Sequence, residues 1–237
     1  MRAFLYPKGQ NPQNPLGLLF LLFLLPSVEA QQISSVSPRT ATVGEPIELE
    51  FAGKNLGLSG DDNLLILASF ACDQEIISEE PEPPAEGKGA KARNKVRLKV
   101  TLKKDTPLGI GWLRLVTSMG ITPPILFLVD DLPTRKVDAK SRREDAVLID
   151  PPLAIESRTP NLEVHYYKLE GRSGQRIAIE VLGSRLGEDV DAVLKLLDSG
   201  GRILAASDDE PGSEKDPRLS HVFRKNETAY IEVREVR

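Results

Sequence analysis

KVRLKVTLKK, residues 95–104, decides the fold class of this 237-residue chain. Apolar residues occupy every second position from Val96 to Leu102, and basic residues or Thr101 stand between them. Successive side chains of a β-strand point to opposite faces, so this alternation predicts a strand with one buried and one solvated face. The segment PIELEFAG, residues 46–53, has the same period and predicts a second strand of this kind.

Two further apolar runs extend the β pattern. WLRLVTS (112–118) and ILFLVD (125–130) flank the turn-forming MGITPP and complete an all-β domain that we place at residues 31–131. The stretch 78–95 between its strands is rich in Pro, Gly and charge, which predicts a long loop. Its GKGAKA resembles a dinucleotide fingerprint, but the strand that such a site needs is replaced by a proline-rich acidic run, so nucleotide binding is disfavoured.

A charged, proline-containing stretch interrupts the alternation at residues 132–155. It predicts an interdomain linker with a short edge strand at 146–149. Strand patterning resumes at residue 156 and continues to residue 237. We therefore predict an all-β chain of two domains joined by a charged linker.

Within the second domain, AVLKLLDSGGRILAAS (192–207) predicts a hairpin around Ser199-Gly200-Gly201. The spacing of the apolar residues over 190–197 also fits a helix, and the short length of the segment favours the strand. A final pair of strands is predicted around a turn at 225–228. Asn226-Glu227-Thr228 matches a glycosylation acceptor, although a hairpin turn is the simpler interpretation of these residues.

The first 30 residues have the pattern of a secretory signal peptide. Arg2 and Lys8 precede the apolar run 16–25, and Val28-Glu29-Ala30 suits a signal peptidase. The apolar run is much shorter than the roughly 20 residues that span a bilayer, which disfavours an uncleaved anchor. We expect cleavage after Ala30, an extracytoplasmic location (secreted, periplasmic or cell surface), and no stable membrane insertion after cleavage.

Charge and cysteine content limit the partners further. The formal net charge is −4, and loss of the signal peptide makes it one unit more negative, so the chain has no electrostatic reason to bind nucleic acid. Cys72 is the only cysteine, so a disulfide framework is excluded. It ends the apolar segment LLILASFAC (64–72), which favours a core residue over a reactive thiol.

The opening of the mature chain, ISSVSPRTATVGEPIELEFAGKNLG (33–57), has an I-x-x-x-x-P start and a G-x-N-L-G turn. It resembles the IPT/TIG immunoglobulin-like family, and TLKKDTPLGIGWLRLVTSMGITPPILFLV (101–129) resembles the last strands of that family. The resemblance covers residues 31–131. It implies a β-sandwich that serves as a spacer or binding module without catalytic residues.

Three later segments, YYKLEGRSGQRIAIEV (166–181), LGEDVDAVLKLLDSGGRILAASDDE (186–210) and DPRLSHVFRKNETAYIEV (216–233), resemble the bacterial pre-peptidase C-terminal (PPC) domain. This resemblance covers residues 156–237 and implies a jelly-roll-like β-sandwich of a secreted bacterial protein. Two departures from the family matter. His165 stands where the family often has an acid, and the closing strand of the family is absent, so we expect a domain that is incomplete at its C-terminus.

Acidic residues in two loops of the second domain form the candidate metal site. Calcium takes roughly six to eight oxygen ligands, and a sandwich can bring two loops to one end. A plain solvated loop explains the same composition more simply. Calcium is therefore the one cofactor that the sequence suggests, with these candidate ligands: Asp189, Asp191, Asp208, Asp209 and Asp216.

The chain shows no H-E-x-x-H, G-x-S-x-G or P-loop motif. A triad built from distant positions stays open for His165 and His221, the two histidines. We expect no enzyme but a non-catalytic secreted or cell-envelope module pair, the spacer or binding region of a larger bacterial protein. Its expected partner is a protein or polysaccharide of the envelope or matrix. The alternative is the accessory N-terminal region of a secreted hydrolase, a peptidase, whose catalytic domain is not in this chain.

Overall fold

The structure, a computed structural model, describes residues 31–57, 64–77, 94–138, 140–158, 162–209, 211–212 and 215–236. Within these ranges the chain is all-β, with two short 3-10 turns at Arg143–Asp145 and Ser184–Leu186. The predicted signal peptide and nearly all of the predicted loop at 78–95 lie outside the described residues. In the described part, no helix has the length and apolar character needed to cross a membrane.

The strands are numbered in chain order. They are β1 (Gln32–Ser37), β2 (Thr40–Thr42), β3 (Pro46–Lys54), β4 (Leu65–Ala68), β5 (Cys72–Ile76), β6 (Lys95–Leu102), β7 (Gly109–Thr117), β8 (Gly120–Ile121), β9 (Ile125–Asp130), β10 (Thr134–Lys136), β11 (Val147–Leu148), β12 (Ala154–Glu156), β13 (Val164–Gly171), β14 (Arg176–Glu180), β15 (Ala192–Asp198), β16 (Ile203–Ser207), β17 (Arg218–Val222) and β18 (Glu227–Glu235).

Two sheets form the first sandwich, with strand orders β1-β3-β6-β5 and β2-β9-β7-β4. Strand β6 has the predicted alternation, because the side chains from Val96 to Leu102 at every second position are buried, while Arg97 and Lys99 between them are exposed and Thr101 is half-buried. Phe51 of the first sheet and Phe127 of the second are fully buried in one apolar cluster. Burial of each such side chain contributes roughly 1.5–3 kcal/mol. The prediction of an all-β sandwich is confirmed for this domain.

The second sandwich packs a five-stranded sheet, ordered β11-β13-β18-β15-β16, against the pair β14-β17. Its core joins Leu169 and Leu194 of the large sheet to Ile177 and Leu219 of the small one. Strand β15 pairs with β18 in register, Leu194 opposite Val233. The strand interpretation of this segment is thus confirmed over the helical alternative.

The stretch between the sandwiches is more ordered than a plain linker. Strand β10 pairs in parallel with β12, and β11 adds to the edge of β13 close to the predicted position. Val137, Leu153 and Ile155 pack against the core of the second sandwich. These strands have two or three residues each, which is too short for a period of two to be visible in the sequence.

Candidate cation site and interdomain contacts

Sheet pairing brings the acidic loops to one end of the second sandwich. Asp191 immediately precedes β15, and Asp208 and Asp209 immediately follow β16. Because β15 and β16 are antiparallel neighbours, the start of one strand lies beside the end of the other. The backbone N–H of Asp191 donates to the buried carboxylate of Glu235 at 3.1 and 3.2 Å, which fixes the loop against the end of β18.

The three aspartates each offer a carboxylate oxygen within 4.8 Å of the other two. Oxygens that share a Ca²⁺ ion lie 2.3–2.6 Å from it, roughly, so a cluster of this width has room for one ion. Asp191 is half-buried and the other two are exposed. The Lys215 ammonium lies 3.4 Å from Asp191 Oδ2 and supplies positive charge where a cation would sit. Three carboxylates leave further ligand positions to water or backbone carbonyls.

The other two predicted ligands lie outside this cluster. Asp189 is exposed in the loop before β15. Asp216 is completely buried, and its Oδ1 accepts the backbone N–H groups of Gly183 and Ser184 at 2.9 and 2.8 Å. Its Oδ2 accepts both the backbone N–H and the Nε–H of Arg185. Asp216 therefore stabilises the 3-10 turn Ser184–Leu186 and is not part of the aspartate cluster.

Arg39 and Glu156 join the two sandwiches. The Glu156 carboxylate accepts hydrogen bonds from the Ser37 hydroxyl at 2.7 Å and from the backbone N–H of Arg39 at 2.8 Å. The Arg39 guanidinium donates to the carbonyl of Leu126 in the first sandwich and to that of Leu186 in the second, at 3.1 and 3.0 Å. It also forms an ion pair with Glu188. The sequence carried no signal for this contact, because its members are more than 80 residues apart in the chain.

A cleft of about 830 Å³ lies next to this contact. Charged side chains of both signs line it, with acids in excess: Glu45, Glu48, Glu50, Asp138, Glu156 and Glu163 against Arg97, Lys136 and Arg158. Hydrogen bonds from Arg97 and Lys95 hold the pKa of the Glu50 carboxyl below its usual range. The cleft therefore suits a polar ligand with positive groups better than an apolar one.

His165 borders the cleft and is the residue on which a catalytic interpretation depends. Its Nδ1 lies 3.3 Å from the Ser157 hydroxyl, and its Nε2 lies 3.9 Å from a Glu163 oxygen. Burial lowers the pKa of the imidazole, while the nearby Glu163 carboxylate raises it by a smaller amount. The residue is only 6% exposed, so the imidazole is a poor base for a substrate in the cleft.

A second polar cluster lies on the outer face of the five-stranded sheet. Register sets Tyr166, Glu232 and Lys195 side by side on neighbouring strands. The buried Glu232 carboxylate accepts the Tyr166 hydroxyl at 2.9 Å and the Lys195 ammonium at 3.2 Å. Burial, followed by the bond to Glu232, raises the pKa of Tyr166. Nearby, the Arg143 guanidinium lies over the Tyr230 ring. Sequence reasoning missed this cluster, because only the pairing of β13, β18 and β15 assembles it.

Cys72 begins β5 and is half-buried, less completely than the core interpretation predicts. It packs against the core of the first sandwich. Burial raises the pKa of its thiol, and the Asp73 carboxylate adds to the effect. A raised pKa reduces the thiolate fraction, which agrees with an unreactive side chain.

No protein-family model matches the sequence, and no curated protein matches it either. Among solved structures, the chain is similar to a crystal structure of the ICAM-5 D1–D4 ectodomain fragment, with 12% sequence identity and a TM-score of 0.25. The similarity covers 83% of this chain and 42% of the other, so the chain spans less than half the length of that fragment.

Proposed function

We propose that this chain is a non-catalytic extracytoplasmic module pair, with an IPT/TIG-like sandwich followed by a PPC-like one, that serves as a spacer in a larger envelope or secreted protein. A spacer has to hold the parts that it joins at a fixed separation. The partner of such a module is a protein or polysaccharide of the envelope or matrix. The polar cleft with its excess of acids is the surface that best suits it.

The contact of Arg39 and Glu156 carries the proposal. Through its guanidinium alone, Arg39 bonds a carbonyl in each sandwich, and through its backbone it bonds Glu156 on the connecting strand β12. Charge-assisted hydrogen bonds of this kind are about twice as strong as neutral ones. The parallel pairing of β10 with β12 also shortens the part of the connecting segment that is not held in a strand. Two modules tied in this way keep one orientation, as a spacer requires.

Small-angle X-ray scattering of the chain from residue 31 onwards tests the proposal. The wild-type profile is expected to fit one orientation of the two sandwiches. The double variant Arg39→Ala, Glu156→Ala removes the bridging side-chain bonds and is expected to broaden the distribution of intramolecular distances toward longer values. Arg97→Ala is the matched control, because Arg97 forms its ion pair with Glu50 within the first sandwich.

A wild-type profile that requires many orientations would contradict the spacer role. So would a double variant whose distances stay unchanged, because the contact would then be irrelevant to the orientation. Thermal melts of each variant separate a change of orientation from a loss of folding, since the contact lies outside both apolar cores.

A further inference from the structure

The outward side of the sheet β2-β9-β7-β4 is apolar. We call the outward side chains of β4, β7 and β9 the β7 face. Seven of the twelve large hydrophobic side chains that are exposed in the described residues lie on these strands, on β8 or directly before β7. They are Leu65, Leu67, Leu108, Ile110, Trp112, Ile121 and Leu126. A solvated sheet of a sandwich normally alternates apolar inside with polar outside, so this face departs from the pattern.

Strand register makes the face continuous. Trp112 stands opposite Leu126 on β9, and Ile110 stands opposite Leu128. On the other side of β7, Leu67 stands opposite Arg114. Trp112 is 39% exposed at the centre of this grid. Continuous apolar patches of more than a few hundred Å² are uncommon on monomers and mark interaction sites.

One cation and one anion lie toward opposite ends of the face. The Arg114 guanidinium carbon lies 5.7 Å from the centroid of the Trp112 ring. Asp130 ends β9 and shares its outward side with Leu126 and Leu128, two and four residues earlier. The pairing of Gly109 with Val129 and of Leu113 with Ile125 sets Arg114 and Asp130 six residues apart along the strand direction, which is about 20 Å.

We propose that the β7 face binds a second copy of this chain, face to face, about a two-fold axis that runs across the strands between Ile110 and Trp112. The axis reverses the strand direction of the second copy. Arg114 of each copy then lies opposite Asp130 of the other, and Trp112 packs on the Ile110 and Leu128 side chains of the other copy. Charges of opposite sign at equal distances from one centre make the face complementary to itself.

The area of the face sets the strength of this contact. Stable interfaces bury about 800 Å² on each partner. The seven partly exposed side chains of the β7 face cover less than that, so the dimer is expected to be weak and reversible. The two surfaces meet at Leu126, whose carbonyl accepts a hydrogen bond from the Arg39 guanidinium and whose side chain lies on the β7 face. Leu126→Ser changes only the side chain, so sedimentation tests the face and scattering tests the Arg39 contact.

Sedimentation velocity over a dilution series tests the proposal on the wild-type chain from residue 31 onwards. The sedimentation coefficient is expected to rise with concentration from the monomer to the dimer value. Trp112 is the only tryptophan, so its emission is an independent reporter and is expected to shift to the blue over the same range. A chain that remains monomeric at about 1 mM would overturn the proposal.

Charge-reversed variants test the two-fold pairing itself. Arg114→Asp places acid against acid in a homodimer, and Asp130→Arg places base against base, so each variant alone is expected to associate at least about tenfold more weakly. An equimolar mixture of the two restores both pairs in a heterodimer and is expected to regain the wild-type association. Failure of the mixture to recover would overturn the two-fold arrangement. Asp130 Oδ1 accepts hydrogen bonds from the backbone N–H groups of Asp131 and Leu132, and Asp130→Arg removes both bonds. Thermal melts therefore check that this variant is folded, and Asp130→Lys is a second charge-reversed variant for the same test.

Apolar variants test the face. Leu67→Ser and Leu126→Ser are expected to abolish the dependence of sedimentation on concentration, because each removes exposed apolar area from the contact. Ile203→Ser is the matched control, since Ile203 is equally apolar and 59% exposed but lies on β16 of the second sandwich. Association that persists in the two leucine variants, or that disappears in the control, would overturn the proposal.

Discussion

Asp216 Oδ2 accepts two hydrogen bonds from Arg185, one from the backbone N–H at 3.1 Å and one from Nε–H at 2.9 Å. The aspartate has no exposed surface, and its other oxygen holds two more backbone N–H groups. The Arg185 side chain also reaches Glu180 at the end of β14. One carboxylate thus ties the start of β17 to the 3-10 turn that follows β14.

Asp216→Ala is expected to destabilise the second sandwich by about 3 kcal/mol, because buried donors left without acceptors cost roughly 1–3 kcal/mol each and some regain water. Asp216→Asn keeps one acceptor oxygen and is expected to lose less. Urea denaturation followed by circular dichroism measures both. Asp105→Ala, in an exposed turn of the first sandwich, is the control and is expected to change little. Equal stability of Asp216→Ala and the control would refute the structural role of Asp216.

The strands that carry the two cores were predictable because burial on one face imposes a period of two, as β6 and β13 show. The role of Asp216 was not predictable, because its hydrogen-bond partners are about 30 residues away in the chain. The local sequence of an aspartate in a loop does not tell whether its carboxylate binds a metal ion or backbone N–H groups. Arg39 presents the same difficulty. Contacts that depend on how whole sheets pack have no local pattern, so they are visible only in the fold.

Calcium binding at the aspartate cluster is expected to depend on three of the five predicted ligands. Asp208→Asn and Asp209→Asn each remove a charge from the group that converges within 4.8 Å, so calorimetric titration should show weaker binding or none. Asp189→Asn is the matched control and is expected to leave binding unchanged. Lys215→Met removes the ammonium beside Asp191 and is expected to tighten binding about tenfold.

A titration without heat, together with an unchanged melting temperature in Ca²⁺, would show that the cluster is a solvated loop. Equal losses from Asp189→Asn and Asp208→Asn would mean that the charge of the whole loop, and not the convergent group, attracts the ion.

His165 gives the second sandwich a pH dependence of defined sign. Burial lowers the pKa of its imidazole below the ordinary 6.5, so the unfolded chain binds a proton more readily than the folded chain. The resulting stability is present above pH about 6.5 and is lost as the pH falls toward the folded pKa. Urea midpoints measured on either side of pH about 6.5 are expected to fall on acidification.

His165→Gln is expected to reduce this slope, whatever it does to absolute stability, while His221→Gln serves as the control with the other histidine of the chain. Acidic groups near His165 act in the opposite direction, since the Glu163 carboxylate favours the imidazolium. A slope that is unchanged in His165→Gln would show that other groups set the pH dependence.

Gly171 marks a close approach between β13 and the Phe223 ring. A Cβ atom at Gly171 would lie 2.5 Å from Phe223 Cε1 and 2.6 Å from two neighbouring ring carbons, well inside van der Waals contact. Gly171→Ala is therefore expected to destabilise the second sandwich by about 2 kcal/mol, because Phe223 is fully buried and has little room to move. Phe223→Leu provides space, so the double variant should lose less stability than the two single variants added together. Additive losses in urea denaturation would mean that the ring moves aside and that the glycine serves no packing purpose.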